Sequence, residues 1–361
     1  MTNVAGRKGS GGRVLFVPVS GARGMGEYAR ALALATAAAR RLPQLQVHFI
    51  VSREAPYAAD LPFPKTLIPA SPTMHTAEVV EVIRTFRPTL VVFDNAGRTK
   101  QLQAAVAAKT DLPVEICMRY GNPSPKAAMD SLMKRYPDLK EVMLLPLYPH
   151  YAMSSYETAV EYAKEIYNKE GYSFKLSIVP PFYKDEVYID ALAESMRPYV
   201  QQDFDLMVFS YHGIPERHIT KRHAPGTHNV QTPDSCCTDA AVQEVCYRHQ
   251  VITTTQLVAA KLGLPREKYT LSFQSRLGRD PWLQPYTAKR LAEWPKEGYK
   301  KIVLACPAFV SDCLETLEEM GEEGREIFME AGGESFTLIP CMNTHPKWVE
   351  GVMKLVEKVE I

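Results

Sequence analysis

Leu206-Met207-Val208-Phe209-Ser210 runs directly into Tyr211-His212-Gly213-Ile214-Pro215-Glu216-Arg217, an apolar run followed by polar and turn-forming residues. A short apolar run bounded in this way predicts a strand buried on both faces. The pattern recurs at Val14 to Val19, Gln46 to Val51, Leu90 to Phe93, Val114 to Met118, Val142 to Leu147, Lys175 to Val179, Tyr269 to Phe273, Lys301 to Ala305 and Ser335 to Ile339. Amphipathic helical stretches separate most of these runs, which predicts βαβ units and an α/β fold of parallel sheets flanked by helices. In such sheets ligands bind beyond the carboxyl ends of the strands. The residues that follow each run are therefore the first candidates for function.

The chain has 361 residues, with 42 Lys+Arg against 41 Asp+Glu and a formal charge of +1. No bulk field draws polyanions, which argues against a nucleic-acid partner. With 46% hydrophobic and 23% charged residues the composition is globular, and at roughly 150 residues per domain the length predicts about two domains. Met1 to Gly12 is rich in Gly, Lys and Arg and reads as a loose tail. The seven cysteines are an odd number, and the apolar stretch near the start is too short for a secretory signal, so a reducing, cytoplasmic location is expected. No run approaches the ~18 apolar residues of a membrane span, although an apolar lip could rest on a membrane surface.

His212 stands just past the first run quoted, in a turn fixed by Gly213 and Pro215. Its imidazole could accept a proton or ligate a metal near neutral pH; a histidine bonded to turn backbone is the alternative. Ser311-Asp312-Cys313-Leu314-Glu315 reads as a helix start, and Asp312, Glu315, Glu319 and Glu323 recur at spacings that share one helix face. That row could bind a cation and pass protons outward, or it could be a solvated acidic face. Cys236, Cys237 and Cys246 lie in the polar stretch Arg222 to Gln250 with His223, His228 and His249. Three cysteines and a histidine could hold zinc or an iron–sulfur cluster, with free loop thiols as the alternative. Cys117, Cys306, Cys313 and Cys341 read as small core residues. Gly21, Gly24 and Gly26 do not have the dinucleotide-binding spacing and read as a strand-to-helix turn. Trp282, between Pro281 and Pro285, is placed for a flat ligand together with Tyr120, Tyr148, Tyr151, Tyr286 and Phe309, with core packing as the commoner role for any one such ring. A loop tryptophan of this kind is less expected to serve as core.

Several of these blocks together resemble ferrochelatase: Ser210 to Arg217, Phe273 to Arg279 with Trp282-Leu283 and Pro285 to Thr287, Pro307 to Glu319, Met118 to Pro123, and Leu145 to Tyr151. The resemblance runs from about Val114 to near the C-terminus. It implies two Rossmann-like domains, 13–190 and 191–361, the second carrying the cysteine-containing insertion at 222–250. The activity it implies is insertion of Fe²⁺ into protoporphyrin IX, or coproporphyrin III, giving haem and two protons. His212 and Glu315 would bind the metal and take the pyrrole protons, and Glu319 and Glu323 would continue an acidic track. Arg119, Tyr120, Tyr148 and Trp282 would contact the porphyrin. Some bacterial members hold a [2Fe–2S] cluster in the insertion, which here could use Cys236, Cys237 and Cys246 and recruit a histidine. Porphyrin and ferrous iron are the implied partners, with peripheral membrane contact. Residues 13–105 are atypical and are similar to the amino-terminal half of a two-Rossmann glycosyltransferase. The competing expectations are therefore an inactive porphyrin- or haem-binding chimera and a sugar-nucleotide transferase.

Overall fold

The computed structural model describes residues 13–17, 26–53, 58–69, 76–86, 90–93, 97–120, 122–221, 223–224, 226–229, 234–278 and 280–358. The expected tail and the turn carrying Gly21 and Gly24 lie outside the described residues. The chain forms two compact units, Met1–Ala96 with Tyr120–Ser124, and Gly97–Arg119 with Pro125–Ile361.

In the first unit the order is β1 (Arg13–Val17), α1 (Gly26–Arg41), β2 (Gln46–Ser52), β3 (Lys65–Ile68), α2 (Thr76–Phe86) and β4 (Leu90–Phe93). The strands form a parallel sheet in the order β3-β2-β1-β4. Side chains alternate across a strand, so its residues must satisfy two cores. Val14, Val47, Phe49 and Val51 pack with Ala31 and Ala35 of α1, whereas Leu15, Ile50 and Ile68 pack with Val79 of α2. Strand β3 has no counterpart among the apolar runs because it opens with Lys65 and Thr66, and it gains its pairing from β2.

The second unit begins with α3 (Gly97–Ala107), α4 (Pro125–Arg135), β5 (Glu141–Leu144), α5 (Thr158–Glu170), β6 (Lys175–Ile178) and α6 (Glu186–Val200). Strands β5 and β6 pair in parallel as a sheet of their own. Next come β7 (Leu206–His212), the short helices α7 (Arg217–Thr220) and α8 (Ala240–Gln243), α9 (Tyr247–Leu262), β8 (Tyr269–Gln274), α10 (Thr287–Glu293) and β9 (Lys301–Ala305). A π-helix (Glu315–Gly324) then runs into α11 (Arg325–Glu330), followed by β10 (Ser335–Leu338) and α12 (Pro346–Glu357). The main sheet is parallel, in the order β10-β9-β7-β8.

Strand β7 is the most deeply buried of these. Met207, Phe209 and Tyr211 point into a core shared with α6, α9 and α12, while Leu206 and Val208 point into a second core with Leu291, Met320 and Phe328. The expected α/β fold class is thus observed. Three local expectations are not. Val114 to Met118 forms no strand; Pro113 precedes it, and the Val114 carbonyl accepts from the Gln103 side chain at 2.9 Å instead of from a neighbouring strand. The expected division after residue 190 falls inside α6. Finally, α3, which the sequence assigns largely to the atypical segment, contributes Leu102 and Val106 to the core of the second unit.

Trp348 of α12 is fully buried against Phe182 and Tyr188, with ring centroids 5.9 and 6.1 Å away. Trp348→Ala should cost about 3–5 kcal/mol, read as a lower urea midpoint with an unchanged slope. A loss below about 1 kcal/mol would mean that α12 is not part of the cooperative core.

Candidate active site

Because β7 alternates between two cores, its even-numbered residues Leu206, Val208 and Ser210 face α10 and the π-helix. The strand continues to His212 rather than ending at Ser210, and period two brings His212 to that same side. Its half-buried ring lies with its centroid 6.2 Å from that of Phe309. His212 Nδ1 is 2.6 Å from the Gly213 carbonyl oxygen. A carbonyl can only accept, so Nδ1 is the donor in this contact. Tyr247 donates its hydroxyl to the His212 carbonyl at 2.8 Å. Gly213 is required for space, since a Cβ there would lie 2.9 Å from the Gln274 carbonyl oxygen and 3.1 Å from Cε3 of Trp282.

Gln274, at the end of β8, ties this end of the sheet together. Its Oε1 accepts from Ser210 Oγ at 2.7 Å and Cys306 Sγ at 3.4 Å, and its Nε2 donates to the Glu315 carbonyl at 2.9 Å. The next residue, Ser275, has φ 61°, a left-handed conformation uncommon for a residue with a Cβ. In that conformation its N–H and its hydroxyl both donate to the Glu319 carboxylate at 2.6 Å. Burial nevertheless pushes Glu319 up to about 7, and the neighbouring Glu315 and Glu323 add to the rise against the Ser275 hydrogen bonds.

The expected helix is a π-helix over all ten residues from Glu315 to Gly324. Such wide turns are rare and concentrate at functional sites. Gly321 and Gly324 let neighbours approach; a Cβ at each would lie 3.0 Å from Leu338 and 3.2 Å from Leu291. Glu315 and Glu319 are partly buried and Glu323 is exposed, so the row runs from the interior to solvent. Asp312 does not belong to it. It is buried and accepts from Cys341 N at 2.9 Å, Asn343 Nδ2 at 2.7 Å and Thr316 Oγ1 at 3.3 Å, locking the helix start to the loop after β10.

Trp282, expected to be a loop ring outside the core, is only 8% exposed. The segment around it pairs antiparallel with Pro215, and Leu283 N donates to the Ile214 carbonyl at 3.0 Å, which lays the indole over Gly213. Arg119 stacks over the Tyr162 ring at 4.8 Å. Tyr120, 52% exposed, belongs to the first unit. Tyr148 is half-buried beyond β5. Its neighbour His150 is a core residue, bonded through Nε2 to Thr254 Oγ1 at 2.9 Å and pushed down to about 3 by burial. Gln274 and Ser275 lie in the block Phe273 to Arg279 that carries the resemblance, but their supporting roles are not legible there, because the sheet register and one backbone angle create them.

A second cluster stands at the amino end of α9. Cys236, Cys237 and Cys246 are buried, and their Sγ atoms and one imidazole nitrogen of half-buried His228 all lie within 4.8 Å of one another. Hydrogen bonds with Cys246 and His228 and the charge of Arg248 hold the Cys236 thiol well below the ordinary thiol range.

The ferrochelatase family model matches residues 92–360, beginning earlier than the resemblance quoted from Val114. A ferrochelatase of Pseudomonas putida (strain W619) is 44% identical over 263 residues, covering 72% of this chain and 77% of its own. One of Stutzerimonas stutzeri (strain A1501) is 45% identical over 263 residues, covering 72% and 76%. Among solved structures, SirB from Bacillus subtilis with Fe³⁺ aligns at a TM-score of 0.49 and 14% identity, covering 73% of this chain and 88% of its own.

The raised Glu319 carboxyl has a pH signature. The folded protein holds this proton up to about pH 7, whereas an unfolded glutamate releases it near ~4.3. The unfolded state therefore binds fewer protons across that window, and wild-type stability falls as pH rises through it. Glu319→Gln removes the penalty. Whatever constant cost the amide carries, the variant should gain on wild type between pH 4.5 and 8, by up to about 3 kcal/mol. Parallel denaturation curves at the two pH values would show instead that Glu319 is ionised in the fold.

Proposed function

Given that this chain belongs to the ferrochelatase family, we propose that His212, Glu315 and Glu319 carry out its metal insertion. The family's reaction places Fe²⁺ in a porphyrin to form haem, and the two pyrrole N–H protons must leave as the metal enters. The observation that carries the assignment is the placement of His212 at the carboxyl end of β7, where Nδ1 is engaged by the Gly213 carbonyl and Nε2 is the ring nitrogen assigned to the chemistry. That nitrogen can take a pyrrole proton. Imidazole and carboxylate also suit a ferrous ion that must be released again, since they bind it less strongly than thiolate.

Glu315 begins the acidic row and shares the ion or the proton with His212. Glu319, with a carboxyl near neutrality, can both accept and release a proton at working pH, which is the requirement for a relay. Exposed Glu323 delivers it to water. From the resemblance, Arg119, Tyr120, Tyr148 and Trp282 are read as porphyrin contacts. The exposed Leu277 and Leu317 support an apolar lip and a peripheral contact with a membrane surface; among the described residues no helix is long and apolar enough to cross one. All seven cysteines are free, which supports a cytoplasmic setting. Cys236, Cys237 and Cys246 are read as thiolate ligands of a metal centre outside the insertion chemistry.

Anaerobic insertion of Fe²⁺ or Zn²⁺ into protoporphyrin and coproporphyrin tests the insertion assignment. His212→Ala and Glu315→Gln should each lower turnover by about 10²-fold or more, with the fold intact by circular dichroism. Glu318→Gln, one position off the row, should stay near wild type. A folded His212→Ala variant with wild-type turnover would remove the imidazole from the mechanism.

A further inference from the structure

We infer that His228 is the fourth ligand of the cysteine centre and that the centre is built for a single tetrahedral ion rather than a [2Fe–2S] cluster. The inference rests on the metal-holding reading of Cys236, Cys237 and Cys246 and decides what they hold. Three donor separations are equal: His228 Nδ1 is 3.5 Å from Cys236 Sγ and 3.5 Å from Cys246 Sγ, and the two sulfurs are 3.5 Å apart. An equilateral triangle is one face of a tetrahedron. With metal–sulfur bonds of ~2.3 Å and metal–nitrogen bonds of ~2.0 Å, tetrahedral angles put neighbouring donors ~3.5–3.8 Å apart. Cys237 Sγ, within 4.8 Å of the other three donors, supplies the remaining vertex. A two-iron core instead holds its four ligands as two pairs, set apart by the iron–iron separation plus the outward reach of two bonds. A rectangle of that kind contains no equilateral triple, so the donors do not fit the cluster.

The backbone around the sulfurs is ordered by hydrogen bonds. Cys246 is the N-cap of the 16-residue α9, and its sulfur accepts from His249 N at 3.4 Å. Sulfur there meets the positive end of the helix dipole. Arg248 Nη1 donates to the Asn229 carbonyl at 3.2 Å and to the Ser235 carbonyl, holding backbone next to His228 and Cys236 in place. The other ring nitrogen of His228, Nε2, is 2.8 Å from Nδ1 of His223. If Nδ1 of His228 ligates, Nε2–H donates to that nitrogen, the outer hydrogen bond that metal-bound histidines usually make. His223 is thus a positioning residue. Three thiolates and a neutral imidazole in tetrahedral array select zinc or a comparable borderline-soft divalent ion. The ion would tie His228 and Cys236 to the start of α9.

The full chain, purified anaerobically, should contain about one zinc per molecule and no acid-labile sulfide. Exchange into Co²⁺ should give the intense visible bands of a tetrahedral thiolate site. His228→Ala should weaken Co²⁺ binding by about tenfold or more, and His228→Cys should keep the ion and shift the sulfur-to-cobalt charge-transfer band. Two irons and two sulfides per chain would overturn the single-ion site while leaving the metal-holding reading standing. Absence of any bound metal together with failure to take up Co²⁺ would overturn both. Unchanged Co²⁺ affinity and spectrum in His228→Ala would remove the histidine from the site.

Discussion

Strand β7 is covered on both faces, so its residues must be apolar in two directions at once for as long as the cover lasts. Met207, Phe209 and Tyr211 supply one core and Leu206 and Val208 the other. Cover ends at the carboxyl end of the strand, and there the side chains become Ser210 and His212. The face that was apolar at Val208 becomes a hydrogen-bonded polar face two residues later. Buried Ser210 bonds to Gln274 and to Thr287, and Thr287 bonds to Ser272. Buried polar groups of this kind are costly unless every partner is in place. The network therefore fixes the relative positions of β7, β8, α10 and the start of the π-helix, and it is against this framework that His212 and the acidic row are set.

The same framework accounts for the electrostatics. Glu319 is held in a protein interior by two donors from a single residue, Ser275, in a left-handed backbone conformation. Those donors favour the charged carboxylate, but burial and two neighbouring carboxylates favour the neutral acid and prevail. A carboxyl near neutrality is suited to handing protons on, whereas one fully paired with a cation would keep its charge. Asp312 shows the contrast. It is equally acidic in sequence and next to the row, yet three donors consume it in structure, so it serves the fold.

On the roles proposed for them, the two centres follow different chemical rules because they would serve different ends. Around His212 the donors are nitrogen and oxygen, in a setting that a cargo ion can leave. Around Cys246 they are buried sulfur at a helix terminus, where a divalent ion would be retained. Placing thiolates in the first setting would trap the iron that the enzyme must deliver.

The sequence by itself determined the fold class and the main chemical groups. Apolar runs flanked by helices are a local property, and so are the Gly213 turn behind His212, the spacing of Glu315, Glu319 and Glu323, and the three thiols near residue 240. Tertiary structure decided the rest, because the remaining features join residues distant in sequence. Val114 to Met118 is apolar enough for a strand but finds no strand partner, whereas the polar opening of β3 is overruled by pairing with β2. The π-helix, the diversion of Asp312 and the burial of Trp282 all depend on neighbours from other segments. So does the selection of His228 from three nearby histidines, since only the fold brings its Nδ1 equally close to two sulfurs.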